Sequence, residues 1–134
     1  MSISNATETS LLEYVFTNTA PAWNAATQLD IHLHVADPGE AGTSATSPAT
    51  YTGYAPVTVS RAGSAWTVTG DTCTNDNLIQ FPQCTAGTNT ISHLSITPNG
   101  STTILLSGAL NSSLAVSAGI QPQIAAGDLD VVLA

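Results

Sequence analysis

The chain has 134 residues and a mass of 13.6 kDa, the size of one ordinary domain. It is 43% hydrophobic but only 7% charged, with one basic residue, Arg61, and a net charge of −8. Binding to nucleic acid or to an anionic membrane surface is not expected, because both need several lysines or arginines. A folded chain of this mass should expose about 6,600 Å² and bury about two-thirds of its surface, enough for a core without metals or crosslinks.

The first eighteen residues predict a short helix that ends near Asn18. Asn5 or Thr7 is suited to cap it, and Glu8 would lie in its positive first turn. Four apolar residues have the spacing of one helical face: Leu11, Leu12, Val15 and Phe16. This stripe either docks on a partner or, as is more common, packs on the chain's own sheet.

From residue 28 onward the apolar residues recur with a period of two, which is typical of β-strands. Between Gln28 and Ala36, four apolar residues alternate with Asp30, His32 and His34, as in a half-buried strand. Further strands are predicted at 51–61, 65–69, 78–81, 91–97, 102–110 and 129–133, with one or two more between 114 and 124. Residues 71–77 are predicted as turns, and the strand 102–110, the most continuously apolar, as a central one.

These eight or nine short strands, with almost no helical periodicity after residue 18, predict an all-β fold. The expected architecture is a β-sandwich or jelly roll with a short N-terminal helix. A single domain is predicted over 1–134, with a helix or arm at 1–27 and the β-sandwich at 28–134.

One cluster of possible metal ligands lies on the predicted strand that begins at residue 28. Asp30, His32 and His34 share one face, and His-x-His is a known zinc-ligand spacing, with His93 as a candidate fourth ligand. The polar face of a half-exposed strand explains the same pattern and is favoured. The sequence therefore predicts no metal and no cofactor.

A second group of polar residues has oxygen atoms suited to calcium, namely Asp71, Asn75, Asp76 and Asn77. Their spacing does not match an EF-hand loop, and turn formation by Asn and Asp explains them without an ion. Asp128 and Asp130 could imitate a pair of catalytic carboxylates, but the more ordinary interpretation is that they make the last strand soluble. The sequence contains no nucleophile elbow, phosphate loop or dinucleotide fingerprint, so no enzymatic activity is predicted.

The two cysteines, Cys73 and Cys84, lie eleven positions apart and match no metal-binding spacing. The N-terminus shows no secretory signal, so synthesis in the cytoplasm is expected. Disulfides are uncommon there, and two free thiols are favoured over a bridge.

Assembly with other chains is predicted from what the surface lacks. Soluble β-proteins commonly protect exposed sheet edges with lysines, and this chain has none. Partner chains that cover edges and apolar surface are the simplest explanation. The candidate interface residues are the apolar stripe of the helix and two aromatic residues: Leu11, Leu12, Val15, Phe16, Trp23 and Tyr54.

Several segments of the chain also resemble, in this order, a family of small virion proteins of tailed bacteriophages. The segments are Leu33–Thr43, Tyr51–Ala55, Phe81–Pro82, Ile91–His93, Leu106–Leu110 and Ala125–Leu129. Members of this family are described as head decoration (cement) proteins or as tail-fibre proteins, and the likeness extends over about 28–134.

The resemblance implies a structural virion component that works by binding. The expected role is head decoration on the capsid exterior, in which a homotrimer binds the major capsid protein and stabilises the shell. The alternative is a tail- or head-fibre domain that recognises a glycan on the host surface.

Overall fold

The computed structural model describes residues 1–133, and most of its regular structure is β-strand. The elements are β1 Ser2–Ile3, α1 Asn5–Thr17, a 3-10 turn Ala22–Ala25, β2 Gln28–His34, β3 Val57–Ser60, β4 Trp66–Thr69, β5 Thr72–Asn75, β6 Ile79–Gln80, β7 Asn89–Pro98, β8 Leu106–Val116, β9 Gln123–Ile124 and β10 Asp130–Val132. The predicted class, all-β with a short N-terminal helix, is confirmed. The predicted single domain 1–134 reaches one residue beyond the described range and stays a prediction.

The strands form three antiparallel sheets. The largest has five strands in the order β1-β8-β7-β2-β3, so the long strand β7 lies at its centre. The order β10-β5-β4 makes a three-stranded sheet, and β6 pairs with β9. In the large sheet, β1 covers only the first two residues of β8, so the remainder of that edge has no strand beside it within the described residues.

A single hydrophobic core joins the sheets. The alternation of β2 directs Ile31 and Leu33 to one face, where they lie beside Ile96 and Leu94 of β7. Val131 of β10 belongs to the same cluster of buried side chains, as do residues of β6. The smaller sheets therefore cover the inner face of the large sheet.

The opposite face of β2 is more buried than the sequence predicts. Asp30 and His34 are both buried, and the loop that follows β2 folds back over the end of the strand. In that loop, the Ala49 N–H donates to the Leu33 carbonyl at 2.9 Å. β2 is thus buried on both faces over much of its length: on the polar face only Gln28 is exposed, and His32 is half-buried.

Two predicted elements differ from the structure. The segment 71–77 was expected to be turns, but β5 occupies most of it, because its Thr-Cys-Thr core pairs with β4 on one side and β10 on the other. The apolar run 102–110 predicts a central strand, but β8 begins only at Leu106. It has a neighbouring strand on each side, although β1 covers only its first two residues. β8 also continues to Val116 through an irregularity opposite 91–93 of β7, which joins two strands that the sequence separates.

Within the described residues, none of the helices has both the length and the apolar character needed to cross a lipid bilayer.

Candidate assembly surface

The helix α1 is attached to the β-fold through its first turn. Ser4 caps the helix, because its Oγ accepts a hydrogen bond from the Thr7 N–H at 3.2 Å. The predicted caps, Asn5 and Thr7, are therefore wrong by one and three positions. The Ser4 N–H donates to the Leu105 carbonyl at 3.0 Å, and the Asn5 N–H donates to the Glu40 carbonyl at 3.1 Å. Two separate loops therefore hold the start of the helix.

The end of α1 agrees with the prediction. Asn18 adopts a left-handed conformation, with φ of 54°, and its N–H donates back to the Glu13 carbonyl. Asparagine is one of the few residues that adopt this conformation readily, and a left-handed residue closes the last helical turn. The chain then returns toward the β-fold through the 3-10 turn Ala22–Ala25.

The apolar side of α1 faces away from the body of the protein. Leu12, Val15 and Phe16 are 60%, 69% and 78% exposed, and Leu11 is exposed as well. At about 100° per residue, these four side chains cover an arc of about 140°. Thr7 and Ser10, the two helix residues that are not exposed, lie outside that arc.

After Ser10 every residue of α1 is exposed, so the helix projects from the body of the protein and its apolar stripe meets water together with its polar residues. In an ordinary surface helix the apolar stripe faces the core. The stripe therefore does not pack on the chain's own sheet, which was the more common of the two expected interpretations. Contiguous exposed apolar patches are common at surfaces that bind another protein, a membrane or a ligand.

Trp23 lies near the base of the helix and is held by the chain's single basic residue. The guanidinium carbon of Arg61 lies 5.4 Å from the centroid of the Trp23 ring, within the range of a cation–π contact. Nη1 of Arg61 donates to the carbonyls of Trp23, Asn24 and Ala26 at 3.1, 3.0 and 2.8 Å. Trp23 is half-buried, and its Nε1 has no hydrogen-bond partner within the described residues.

Tyr54 is separate from this surface. Its hydroxyl oxygen accepts a hydrogen bond from the Leu33 N–H at 2.9 Å, and its ring meets Tyr51 edge-on at 5.4 Å. Burial raises the pKa of the Tyr54 hydroxyl to about 12. Of the six predicted interface residues, the structure brings together the four of the helix stripe, places Trp23 at the helix base and uses Tyr54 to fasten a loop to β2.

An apolar groove of about 650 Å³ opens between the large sheet and the three-stranded sheet. Its apolar lining comes from both sheets: Leu29, Ile96, Leu106, Val68, Cys73 and Val131. Arg61 and Asp71 are its charged lining residues, and Val68 is 72% exposed. Sequence reasoning missed this groove, because its residues lie on different strands and share no motif.

The two histidines of β2 use their ring nitrogens within the fold. His32 Nε2 lies 3.0 Å from Thr97 Oγ1. His34 Nδ1 lies 2.8 Å from the Thr46 carbonyl oxygen and must donate to it, so Nε2, 2.7 Å from Ser95 Oγ, accepts. Among residues 1–133, no group of three His, Cys, Asp or Glu side chains is placed to hold a metal ion.

Asp30 is likewise occupied by hydrogen bonds. Its Oδ1 accepts from the Thr58 hydroxyl at 2.7 Å and from the Asn99 amide at 3.0 Å, and its Oδ2 accepts from the Gly100 N–H at 3.1 Å. Burial alone would raise the pKa of Asp30, but these hydrogen bonds hold the pKa below its usual value. Burial lowers the pKa of His34, because the protonated ring is poorly solvated there.

The candidate calcium ligands serve the fold instead. The buried Asn75 side chain donates to the carbonyls of Asn77 and Ala125 at 2.8 and 2.9 Å and accepts from the Leu129 N–H at 2.9 Å. Asp76 accepts from the Thr67 hydroxyl at 2.7 Å. The bonds of Asn75 to Ala125 and Leu129 fasten β5 to the segment that leads into β10, and the bond of Asp76 fastens the end of β5 to Thr67 of β4.

The remaining acidic pair is divided between a turn and a strand. The N–H of Asp128 donates to the Ala125 carbonyl at 3.1 Å, and Asp130 begins β10, where it pairs with Thr74. The two cysteines are free thiols, as the sequence predicts: Cys84 is buried and Cys73 half-buried. Burial raises the pKa of Cys73.

No curated protein matches the chain. A family model described as Podophage GP4 fiber I protein gp80 matches residues 2–132, which takes in every element of the fold described above. The predicted resemblance to virion proteins of tailed phages is confirmed. The chain belongs to the family of the Podophage GP4 fiber I protein gp80 and is a structural protein of the phage virion.

Proposed function

We propose that this chain is a non-catalytic subunit of a phage fibre and that α1 joins it to neighbouring subunits. The observation that carries this proposal is the outward-facing apolar side of α1, with Leu12, Val15 and Phe16 exposed on a helix whose first turn is hydrogen-bonded to the β-fold. The description of the matching family as a fibre protein supports the location in a fibre.

Burial of apolar surface supplies the driving force for such an assembly. Each chain carries a net charge of −8, so a homotrimer would carry 3 × −8 = −24. Repulsion between the chains opposes association, and it is screened over a Debye length of about 8 Å at physiological salt. The contact must therefore be mainly apolar, as the exposed stripe Leu11, Leu12, Val15 and Phe16 of α1 is.

Head decoration is the second candidate. An apolar helix that points away from its own subunit could equally bind the major capsid protein on the outside of the head. Recognition of a host glycan would need exposed aromatic platforms, and within the described residues Tyr14 and Phe16 of α1 are the most exposed aromatic side chains. Because an outward apolar helix suits a protein contact in a fibre and on the head alike, we propose an assembly role for α1 in either location.

Antibody labelling of purified virions in the electron microscope tests the location, together with the amount of the protein per particle. The fibre proposal predicts labels on fibres and a minor low-mass band on a gel. Labels spread over the head, with a major band, would overturn it in favour of decoration. Absence of the protein from particles would overturn both.

The role of α1 is tested by phage that carry Phe16→Asp, with Leu78→Asp as the matched control. Both residues are exposed, so neither change disturbs the core. We expect Phe16→Asp to reduce incorporation into particles about tenfold or more, the size of effect typical of a central interface residue, and Leu78→Asp to leave incorporation unchanged. Equal incorporation of the two variants would overturn the role of α1.

A further inference from the structure

We infer that the apolar groove of each subunit receives the apolar face of α1 from a neighbouring copy of the same chain. This inference rests on the proposed assembly through α1 and names the surface that receives the helix. One molecule thus carries both halves of the contact, an apolar helix face and an apolar groove.

The groove has the properties of a receiving site. Its volume of about 650 Å³ is in the range of about 300–1,000 Å³ that is typical of binding pockets. Val68 stands on β4, which is the edge strand of its sheet, and its side chain is 72% exposed. Val68 is an exposed apolar side chain beside an apolar groove, and another chain bound in the groove would remove it from water.

The helix of the same chain does not fill this groove. Ser4 and Asn5 are hydrogen-bonded to Leu105 and Glu40, which fixes the first turn of α1. The helix has 13 residues and is about 20 Å long, so the stripe lies beyond this anchor. The stripe also faces away from the body of the subunit, and a second molecule is therefore the partner that the geometry favours.

The charges on the two surfaces complement each other. Arg61 lines the groove and is exposed, and its hydrogen bonds within the described residues go to backbone carbonyls, so no carboxylate neutralises it there. α1 carries Glu8 and Glu13 and no basic residue. Asp71, which also lines the groove, would repel these carboxylates, so docking with Glu13 toward Arg61 is favoured over the reverse orientation.

Such a contact is heterologous, because the helix of one copy meets the groove of the next. Each copy then gives one helix and receives one, and the assembly closes into a ring or extends into a filament. The predicted homotrimer is one closed form of this arrangement.

A mixing experiment with two variants tests the inference. Phe16→Asp damages the helix and leaves the groove intact, whereas Val68→Asp damages the groove and leaves the helix intact. We expect each variant alone to sediment as a single chain of 13.6 kDa. An equimolar mixture should form a 1:1 dimer, because one undamaged helix still meets one undamaged groove. Leu78→Asp, the control for an added surface charge, should assemble like the wild type.

Cys73 supplies a second readout, since it lines the groove, while Cys84 is buried and reports on folding. In the wild type we expect thiol alkylation of Cys73 to be several-fold slower than in Phe16→Asp, with Cys84 unreactive in both. Equal alkylation of Cys73 in both would overturn the inference.

The outcomes separate this inference from the proposed function. If Val68→Asp assembles like the wild type while Phe16→Asp does not, the groove is not the receiving site, and the inference is overturned although the role of α1 survives. A contact between two helices would give this result, because Val68→Asp keeps its helix intact. The inference is also overturned if each variant alone is a single chain and the equimolar mixture still yields only single chains. A wild-type chain that is monomeric at all concentrations would overturn both.

Discussion

Among single residues, Asn75 joins β5 to the segment that leads into β10. Its side chain makes three hydrogen bonds to backbone atoms, and it is buried. We predict that Asn75→Asp lowers the free energy of unfolding by about 3 kcal/mol, because a carboxylate cannot donate to the two carbonyls and would be buried beside them. Urea unfolding followed by tryptophan fluorescence measures the change.

The control for this change is Asn77→Asp, at an exposed position where the side chain makes one hydrogen bond, to the Ser64 carbonyl at 3.2 Å. It should cost less than about 1 kcal/mol. Equal destabilisation by the two substitutions would show that Asn75 has no special role.

Arg61 provides a different test, because its charge and its geometry can be separated. Arg61→Lys keeps the positive charge but loses the planar group whose Nη1 reaches the carbonyls of Trp23, Asn24 and Ala26. We predict a loss of about 1–2 kcal/mol in the free energy of unfolding, measured as a lower urea midpoint at unchanged slope. A midpoint equal to that of the wild type would show that the charge alone suffices.

The buried His34 predicts how stability changes with pH. Its pKa is lowered in the folded protein, mainly by burial and also by repulsion from His93, while Thr46, Ser47 and Asp37 act in the opposite direction. The pKa of this histidine is about 6.5 in the unfolded chain and lower in the folded protein, so below pH 6.5 the unfolded chain binds more protons. The contribution of neutral His34 to stability is therefore complete above pH 6.5. It is lost as the pH falls toward the pKa of the folded protein.

We therefore predict that the urea midpoint of the wild type falls more between pH 7.5 and pH 5 than that of His34→Gln. The comparison with this variant removes the effect of the whole-chain charge, since both proteins lose net negative charge over the same range. An equal or smaller fall in the wild type would contradict the prediction.

Among the elements, α1 depends on one capping residue. Ser4 Oγ accepts from the Thr7 N–H and its hydroxyl also donates to the Ile104 carbonyl. We predict that Ser4→Ala costs about 1–2 kcal/mol and acts locally, so that amide hydrogen exchange accelerates in α1 and stays unchanged in β7. Ser10→Ala, on the same helix and away from the cap, should leave both unchanged. Equal acceleration in β7 would show that the helix is coupled to the whole fold.

The elements also show which parts of the fold the sequence predicts. The alternation around Ile31 and Leu94 identifies β2 and β7, because these strands are long and one face meets the core. The sequence does not predict β5, because this strand is short and is bordered by Asp71 and Asp76, which favour turns. In the folded chain, pairing with β4 on one side and β10 on the other favours a strand instead. Tertiary pairing of this kind has no local signal.

The candidate site is less predictable than the fold. Periodicity identifies the stripe that contains Val15 and Phe16, but which way it faces depends on where the first turn is anchored. That anchor is formed with Leu105 and Glu40, which are distant in sequence. The groove around Val68 is formed by two sheets, so it exists only in the folded chain.

At the level of the whole molecule, the exposed surface agrees with a subunit of an assembly. The chain exposes 7059 Å², more than the roughly 6,600 Å² that is expected of a folded monomer of its mass. A helix that projects from the body of the protein adds exposed surface, which agrees with the larger area. The exposed stripe of that helix is apolar. A coat or fibre subunit can carry such a surface because neighbouring chains cover it.

The mass of the purified protein in solution, measured by sedimentation equilibrium over a range of concentrations, tests the central claim most directly. If α1 joins subunits through its outward apolar face, the wild type has a mass that is a multiple of 13.6 kDa, and Phe16→Asp lowers it to that of one chain. A wild-type mass of 13.6 kDa at every concentration, in salt high enough to screen the net charge, would contradict the claim.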